Sequence, residues 1–290
     1  MRSKTVAWTI LITLSVVWGS SFILMKRGLE AYSSDEVAAL RISIAFLFLI
    51  PLHIKHYKID LKKYFFGLIL MGVFGNLIPA FLFTLAETQI SSSLAGMLNA
   101  LTPLFTILIG LVWLKIQPSK QQVYGIIVGL ISAVFLMLFE RGDNVFRNVQ
   151  FALLLVIATL CYAVSVNGIR QYLQGLNPVT ATVWAFTFTG PLALVYLFGY
   201  TDFTVHLAQN PKALSSLGYI GILAIVGTAL SVILYNVLIR SSGAVFASSC
   251  TYLIPVVAVC WGVFDGENVN LMQILSIGAI ILSVYLINRE

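Results

Sequence analysis

Ten predominantly apolar stretches of about twenty residues follow one another along this chain: 7–25, 37–54, 65–86, 92–114, 122–139, 149–168, 178–199, 216–238, 244–263 and 270–288. A helix of roughly 20 residues crosses a hydrocarbon core of about 30 Å. Within that core every backbone N–H and C=O must bond inside the protein, and a helix does this with no help from a second segment. Composition agrees, because 59% of the residues are hydrophobic and only 10% charged, where a soluble domain carries roughly a quarter charged. The expected fold class is all-α integral membrane, with ten transmembrane helices and no soluble domain between them.

Arg2 and Lys4 ahead of the first stretch resemble the start of a secretory signal. The apolar run is too long for one, no small-x-small site follows it, and Lys26 and Arg27 come next, so it is read as a span. Cys161, Cys250 and Cys260 all fall within spans and are expected to pack rather than to form disulfides or hold a metal.

Short cytoplasmic loops retain Lys and Arg. With the N-terminus inside, the inner segments hold Arg2, Lys4, Lys55, Lys58, Lys62, Lys63, Lys115, Lys120, Arg170, Arg240 and Arg289 against Asp60 and Glu290, a balance of +9. The outer segments, counting Arg41 at the head of the second span, balance at −3. Both termini are therefore expected in the cytoplasm. The basic excess reads as topology and contact with the lipid bilayer's inner leaflet, with no nucleic-acid partner.

The two halves, 1–145 and 146–290, echo each other. A shift of 152 lays Gly72, Gly75, Asn76, Pro79 and Phe83 on Ala224, Gly227, Thr228, Ser231 and Tyr235, Asn99 on Thr251, and Pro103 on Pro255. A shift of 144 lays Trp18 and Gly19 on Tyr162 and Ala163, and Lys26 on Arg170. Each half supplies five crossings, and an odd number makes the second half enter from the opposite side. Two inverted five-helix repeats in one structural domain are expected. Such repeats can exchange conformations around a central site, giving outward-open and inward-open states of similar energy.

The cluster Trp18, Gly19, Ser20 and Ser21, Arg41 opening the second span, and the stretch from Ala86 through Ser91 to Ala95 with Pro103 beyond it, echoed from Gly243 to Pro255, resemble the paired repeats of EamA-type transporters of the drug/metabolite transporter superfamily. The resemblance covers nearly the whole chain and lies in the duplicated ten-span arrangement more than in any short motif. It implies a carrier of metabolites in the bacterial inner membrane, often an exporter of amino acids or related solutes. The second half departs from the pattern with Cys161 and Tyr162 where a tryptophan is often found.

Polar residues in a lipid-bathed helix are expected to face the bundle interior. On the third span Gly72, Gly75, Asn76, Pro79 and Phe83 recur at intervals of three and four, as one stripe of a regular helix. The eighth span repeats the stripe, with Thr228, Tyr235 and the adjoining Asn236. Both stripes are expected to line one cavity, with close packing as the competing reading for the glycines and alanines. Pro103 and Pro255 each remove a backbone donor and release a carbonyl near mid-span. Asn99, Thr102, Thr251 and Tyr252 beside them are candidate solute contacts, against a kink satisfied by a neighbouring helix. Trp18 lies at mid-depth rather than in an interfacial belt and needs an acceptor for its indole. It is expected to form a wall or gate, with Tyr162 as counterpart. The candidate solute-binding set is Trp18, Asn76, Asn99, Thr102, Tyr162, Thr228, Tyr235, Asn236, Thr251 and Tyr252.

Arg41 and Glu87 lie near the outer edge. Arg41 is expected to snorkel to the outer headgroups, the other readings being attraction of a solute's acidic group or pairing with Glu87. Glu87 is expected to be a solvated loop residue. Gly125, Gly129 and Ala133, with Ser276, Ala279 and Ser283 on the tenth span, form small-residue faces that join either the two repeats or two protomers of a homodimer.

No phosphate-loop signature occurs. His53, His56 and His206 fall in or near loops without metal-ligand spacing, and the serines within spans lack an intramembrane base. Neither an enzyme nor a cofactor nor a metal is expected. Two classes remain, a secondary carrier of a small neutral, zwitterionic or amphipathic solute, and a non-transporting sensor or assembly protein with a carrier-like fold. No Asp or Glu maps to the midplane, so a carrier is expected to exchange along its solute's own gradient rather than on protons, the alternative being a sodium ion held by backbone carbonyls beside Pro103 or Pro255 with Asn99 and Thr251.

The charge balance gives a first prediction. A topology reporter fused after Lys63 or Lys120 will register in the cytoplasm, and one placed at Asp202 or Asp265 outside; Lys63 on the outer face would overturn the orientation.

Overall fold

The computed structural model describes residues 2–115, 119–138, 145–242, 247 and 250–288, without the side chains of residues 2, 3, 133, 136–138, 145–148, 252, 284, 287 and 288. The regular structure among the described residues is entirely helical. The spans are Arg2–Gly28, Ser34–His56, Leu61–Glu87, Ser92–Leu114, Lys120–Leu138, Val145–Tyr172, Pro178–Tyr200, Ala213–Ser242, Cys250–Phe264 and Leu271–Asn288. A short helix, Phe203–Gln209, joins the seventh to the eighth. The first four spans and the sixth to eighth are each long and apolar enough to cross a membrane. The expected start of the ninth, at 244, lies outside the described residues. Large apolar side chains such as Phe264 (86% exposed) and Val112 (80%) cover the exterior, where lipid rather than water is their solvent.

Local sequence sets the helix starts. Glu36 reaches back to accept from the Ser33 N–H at 2.9 Å, half of a capping box. Asn177 accepts from Val179 N–H at 2.9 Å, with Pro178 in the first helical position, where its missing N–H costs nothing.

The spans pack across the two repeats. The second lies on the seventh and the fifth on the tenth, while the first contacts the eighth and ninth just as the sixth contacts the third and fourth. Exchanging the first five spans for the last five reproduces this list, which is the pattern of two repeats related by a two-fold axis. The small-residue faces are used here inside one chain, since Gly129 sits directly against Ser283. Cys161 and Cys250 are buried, and Cys260 faces outward.

Regular α-geometry fails at matching places. The third span passes through π-helical turns at Leu70–Leu77 and the eighth at Ile225–Leu230, so the stripes do not lie on continuous α-helices as the three-and-four spacing suggests. The side chains supply the reason. Asn76 Nδ2 donates to the carbonyl of Met71 at 2.9 Å, and Thr228 Oγ1 donates to that of Leu223 at 3.0 Å, each five residues back. Ser231 Oγ does the same to Val226 at 2.7 Å. A wider turn loosens backbone hydrogen bonds, and these polar side chains satisfy the carbonyls that water cannot reach.

The widened turns also admit a neighbouring helix. A methyl group at Gly75 would lie 2.5 Å from Ser165 Oγ, and one at Gly227 3.0 Å from Ser21 Oγ. Ser21 and Ser165 correspond under the shift of 144, as Gly75 and Gly227 do under 152. The fourth span is broken outright, into Ser92–Asn99 and Thr102–Leu114, with Pro103 in the first turn of the second piece. The ninth span carries Pro255 inside a continuous helix.

One end of the bundle is fastened electrostatically. Lys26 Nζ lies 2.7 Å from both Asp265 and Glu267, and Arg27 pairs with Asp265 and, at 2.6 Å, with Glu30. Glu30 continues to Lys212 at 2.7 Å, and Glu36 meets His206 at 2.9 Å. Gly266, at φ +83°, turns the chain after the ninth span so that Glu267 points back. The Glu267 carboxylate then accepts from the backbone N–H and hydroxyl of both Ser92 and Ser93, at 2.6–3.1 Å. It thereby caps the N-terminus of the fourth span from a distant loop. Burial alone would raise its pKa, but the hydrogen bonds from Lys26, Ser93 and Ser92 outweigh burial and hold the carboxyl at about 2. Every ion pair among the described residues belongs to this end.

Two predictions follow from the packing and the cap. Gly75→Ala will lower the thermal midpoint of the purified protein, an overpacking cost of about 1–3 kcal/mol, and Ser165→Ala will recover much of the loss; an unchanged midpoint would contradict the close approach. Glu267→Ala, leaving five donors without their acceptor, will also cost about 1–3 kcal/mol. Because the folded-state pKa lies below the ordinary value of 4.5, the stabilisation by Glu267 is complete above that pH and fades as pH falls toward 2. The gap between the wild-type and Glu267→Ala midpoints will therefore stay constant above about pH 5 and narrow below it.

Candidate functional site

Where the cross-repeat contacts converge they leave a cavity of about 160 Å³, walled by the first, third, fourth, sixth, eighth and ninth spans and by Arg41 of the second. The cavity brings together Trp18, Asn76, Asn99, Thr102, Tyr162, Tyr235, Asn236 and Thr251. Thr228 sits behind the wall at 1% exposure. The side chain of Tyr252 lies outside the described residues.

The aromatic walls follow the internal symmetry. Trp18 packs on Tyr235 with ring centroids 5.1 Å apart, and Tyr162 packs on Phe83 at 6.0 Å. The second pair is the repeat image of the first. The Trp18 indole finds its acceptor in the carbonyl of Gly227 at 3.1 Å, on a π-turn of the eighth span. That bond fixes the ring against the wall across the repeat boundary, which is the role an indole at mid-depth requires. Tyr162, in the matching place, has no indole N–H to do the same against Gly75.

Polar groups divide into those already spent and those open to the cavity. Thr102 Oγ1 donates to the Asn99 carbonyl at 2.8 Å, so the carbonyl released by Pro103 is taken by the chain itself. Asn76 is spent on Met71, and Asn236 Nδ2 reaches Thr182 Oγ1 at 3.3 Å. By contrast, the side-chain amide of Asn99 and the hydroxyl of Tyr235 have no hydrogen-bond partner among the described residues, and both face the cavity.

Arg41 does not snorkel outward. Its Nε donates to Thr228 Oγ1 at 2.8 Å, one terminal nitrogen points at Met25 Sδ at 3.9 Å, and the guanidinium interacts with the Tyr162 hydroxyl. It is the single charged side chain in the cavity wall among the described residues. The reason is tertiary: the eighth span, six crossings away in sequence, offers Arg41 an oxygen acceptor in Thr228. Glu87 likewise is not solvated. It is 7% exposed and neither carboxylate oxygen has a hydrogen-bond partner. The chain turns at Thr88–Ile90 and packs the next helix back over it, a burial that its position at a span end does not reveal.

The sequence reading missed several wall residues, namely Ser21 and Ser165 and the apolar Phe22, Met25, Met71, Val166, Ile169, Val232 and Ile254, and for Arg41 it ranked snorkelling above contact with a solute. The shift of 144 that pairs Trp18 with Tyr162 also pairs Ser21 with Ser165, and that signal was available. The apolar members gave none, because an inward Met or Val in a span looks like any other. No group of three His, Cys, Asp or Glu that could hold a metal occurs among the described residues.

Comparison with known proteins places this architecture. The EamA-like transporter family matches residues 6–138 and 150–289, once in each repeat. The chain is 28% identical over 286 residues to the inner membrane transporter YedA of Escherichia coli (strain K12), covering 96% of this chain and 89% of that protein. It is 24% identical over 287 residues to a transporter of Archaeoglobus fulgidus, covering 98% and 99%. It is 25% identical over 284 residues to an S-adenosylmethionine/S-adenosylhomocysteine transporter of Chlamydia trachomatis serovar L2, covering 94% and 86%. A solved crystal structure at 15% identity superposes with a TM-score of 0.64 over 97% of this chain and 96% of that one, and so shares the fold. With each repeat matched along almost its full length, the chain belongs to the EamA-like transporter family and is a multi-pass membrane transporter.

Proposed function

We propose that the protein exports amino acids or related small metabolites across the bacterial inner membrane by alternating access, with both termini in the cytoplasm. The observation that carries this reading is the cavity at the meeting of the two repeats, lined by aromatic rings and a few polar groups. At about 160 Å³ it lies well below the roughly 300–1,000 Å³ of pockets for drug-sized ligands, which favours a solute of amino-acid size. Aromatic rings supply apolar surface, while Asn99 and Tyr235 offer unspent hydrogen-bonding groups. The solutes named for the Chlamydia trachomatis relative, S-adenosylmethionine and S-adenosylhomocysteine, are themselves amino-acid derivatives.

In this reading the described conformation is the one closed to the outside. The ion pairs of Lys26, Arg27, Glu30, Lys212, Asp265 and Glu267 sit on the side assigned as external. The opposite lining, Ile169, Asn236 and Thr251, lies toward the assigned cytoplasmic ends of its helices. Opening outward would separate the ion pairs and let the repeats exchange their cross-repeat contacts about the cavity. No carboxylate lines the cavity among the described residues, which supports exchange along the solute's own gradient. The small-residue faces are occupied within one chain, so the cycle needs only one copy.

Counterflow in liposomes tests the proposal. Reconstituted protein loaded with a mixed amino-acid pool will exchange at least one labelled solute, and Asn99→Cys treated with a bulky polar thiol reagent will stop that exchange. Failure to exchange any amino acid in the pool would remove the amino-acid reading.

A further inference from the structure

We infer that Arg41 is the anchor for a carboxylate on the transported solute, so that the cavity selects monocarboxylates with an apolar or aromatic body. The inference rests on the carrier reading above and narrows its substrate class.

A guanidinium stays protonated in any protein environment and carries five N–H donors in a planar fork. Drawn partly out of water without a counter-charge, it is destabilising unless a ligand supplies one. Around Arg41 the protein supplies only neutral contacts, from Thr228, Met25 and the Tyr162 hydroxyl. Its Nε is bound by Thr228 Oγ1, and the Thr228 hydroxyl hydrogen is itself committed to the Leu223 carbonyl at 3.0 Å. The hydroxyl can therefore act toward Arg41 only as an acceptor, and it fixes which edge of the guanidinium remains open. Met25 sulfur is a poor acceptor at 3.9 Å. No carboxylate forms an ion pair with Arg41 among the described residues. Glu87 lies near enough to feel the Arg41 charge, yet both its oxygens are unbonded.

The fold does not demand this charge. The second and seventh spans correspond residue for residue under the shift of 144, Ser34–His56 falling on Pro178–Tyr200, and the image of Arg41 is the fully buried Ala185. Much of the wall obeys the two-fold relation, from the Trp18–Tyr235 and Tyr162–Phe83 pairs to Ser21 and Ser165. Arg41 breaks it. A charge kept on one side of a symmetric cavity, held in a fixed orientation with open donors, matches a ligand that is itself charged at one end. A carboxylate fits the fork with two parallel hydrogen bonds, and the Phe22 and Phe83 rings beside it receive the apolar remainder.

Binding to the purified full-length protein in detergent tests this with matched pairs: L-phenylalanine and L-phenylalaninamide, L-leucine and L-leucinamide, L-methionine and L-methioninamide. Thermal stabilisation is the readout. At least one carboxylate will stabilise the wild type, and its amide, which keeps the ammonium, will bind at least about tenfold more weakly. Arg41→Gln will erase that preference, while Arg41→Lys, which keeps the charge and serves as the folding control, will retain part of it. A wild type that binds no acid of the panel, or that binds acid and amide equally, overturns the anchor, and so does an Arg41→Gln protein that still prefers the acid. The two readings fail separately. Counterflow without acid preference leaves the carrier standing and removes the anchor, whereas Arg41-dependent binding without counterflow does the reverse.

Discussion

Carbonyl oxygens released inside hydrocarbon must be satisfied by the protein, and much of this structure is organised around the places where they are released. The third and eighth spans leave α-geometry at matching depths. The side chains of Asn76, Thr228 and Ser231 recover carbonyls five residues back, and the Trp18 indole takes that of Gly227. These bonds permit a wide, irregular turn where water is absent. The turn in turn exposes Gly75 and Gly227, against which Ser165 and Ser21 of the opposite repeat can seat. Close approach of the two repeats, and the cavity left beside it, follow from that local irregularity.

Symmetry explains most of the cavity wall and isolates what it does not explain. An inverted repeat can exchange its packing only if both halves present equivalent surfaces. The ring pairs and the serine–glycine contacts meet that condition. Substitutions that break the equivalence, tryptophan against tyrosine at 18 and 162 and arginine against alanine at 41 and 185, are where specificity for a particular solute can enter without disturbing the exchange. Closure at one end belongs to the same economy. Glu267 ties the ninth span to the fourth and, through Lys26, to the first, so three wall helices are held by one carboxylate.

Fold class, span positions and the duplication were legible in the order of the residues, because apolar length, charge placement and residue offsets are properties of the chain read along its length. The aromatic and polar stripes were legible for the same reason: a periodic pattern marks a face. What each face meets depends on packing between distant segments. The stripe around Asn76 reads as a regular helix, since a π-turn depends on a side chain satisfying a carbonyl that spacing does not display. Arg41 reads as a snorkelling residue and Glu87 as a solvated one, since each lies near a span end, and depth along a helix is all that the sequence encodes. The inward course of Arg41 was set by Thr228 of the eighth span, distant in sequence and adjacent in space, and Glu87 is buried at 7% exposure beside the turn at Thr88–Ile90. Electrostatics inside a membrane depends on such neighbours, because in a low dielectric one acceptor at hydrogen-bond distance outweighs the pull of water several ångströms away.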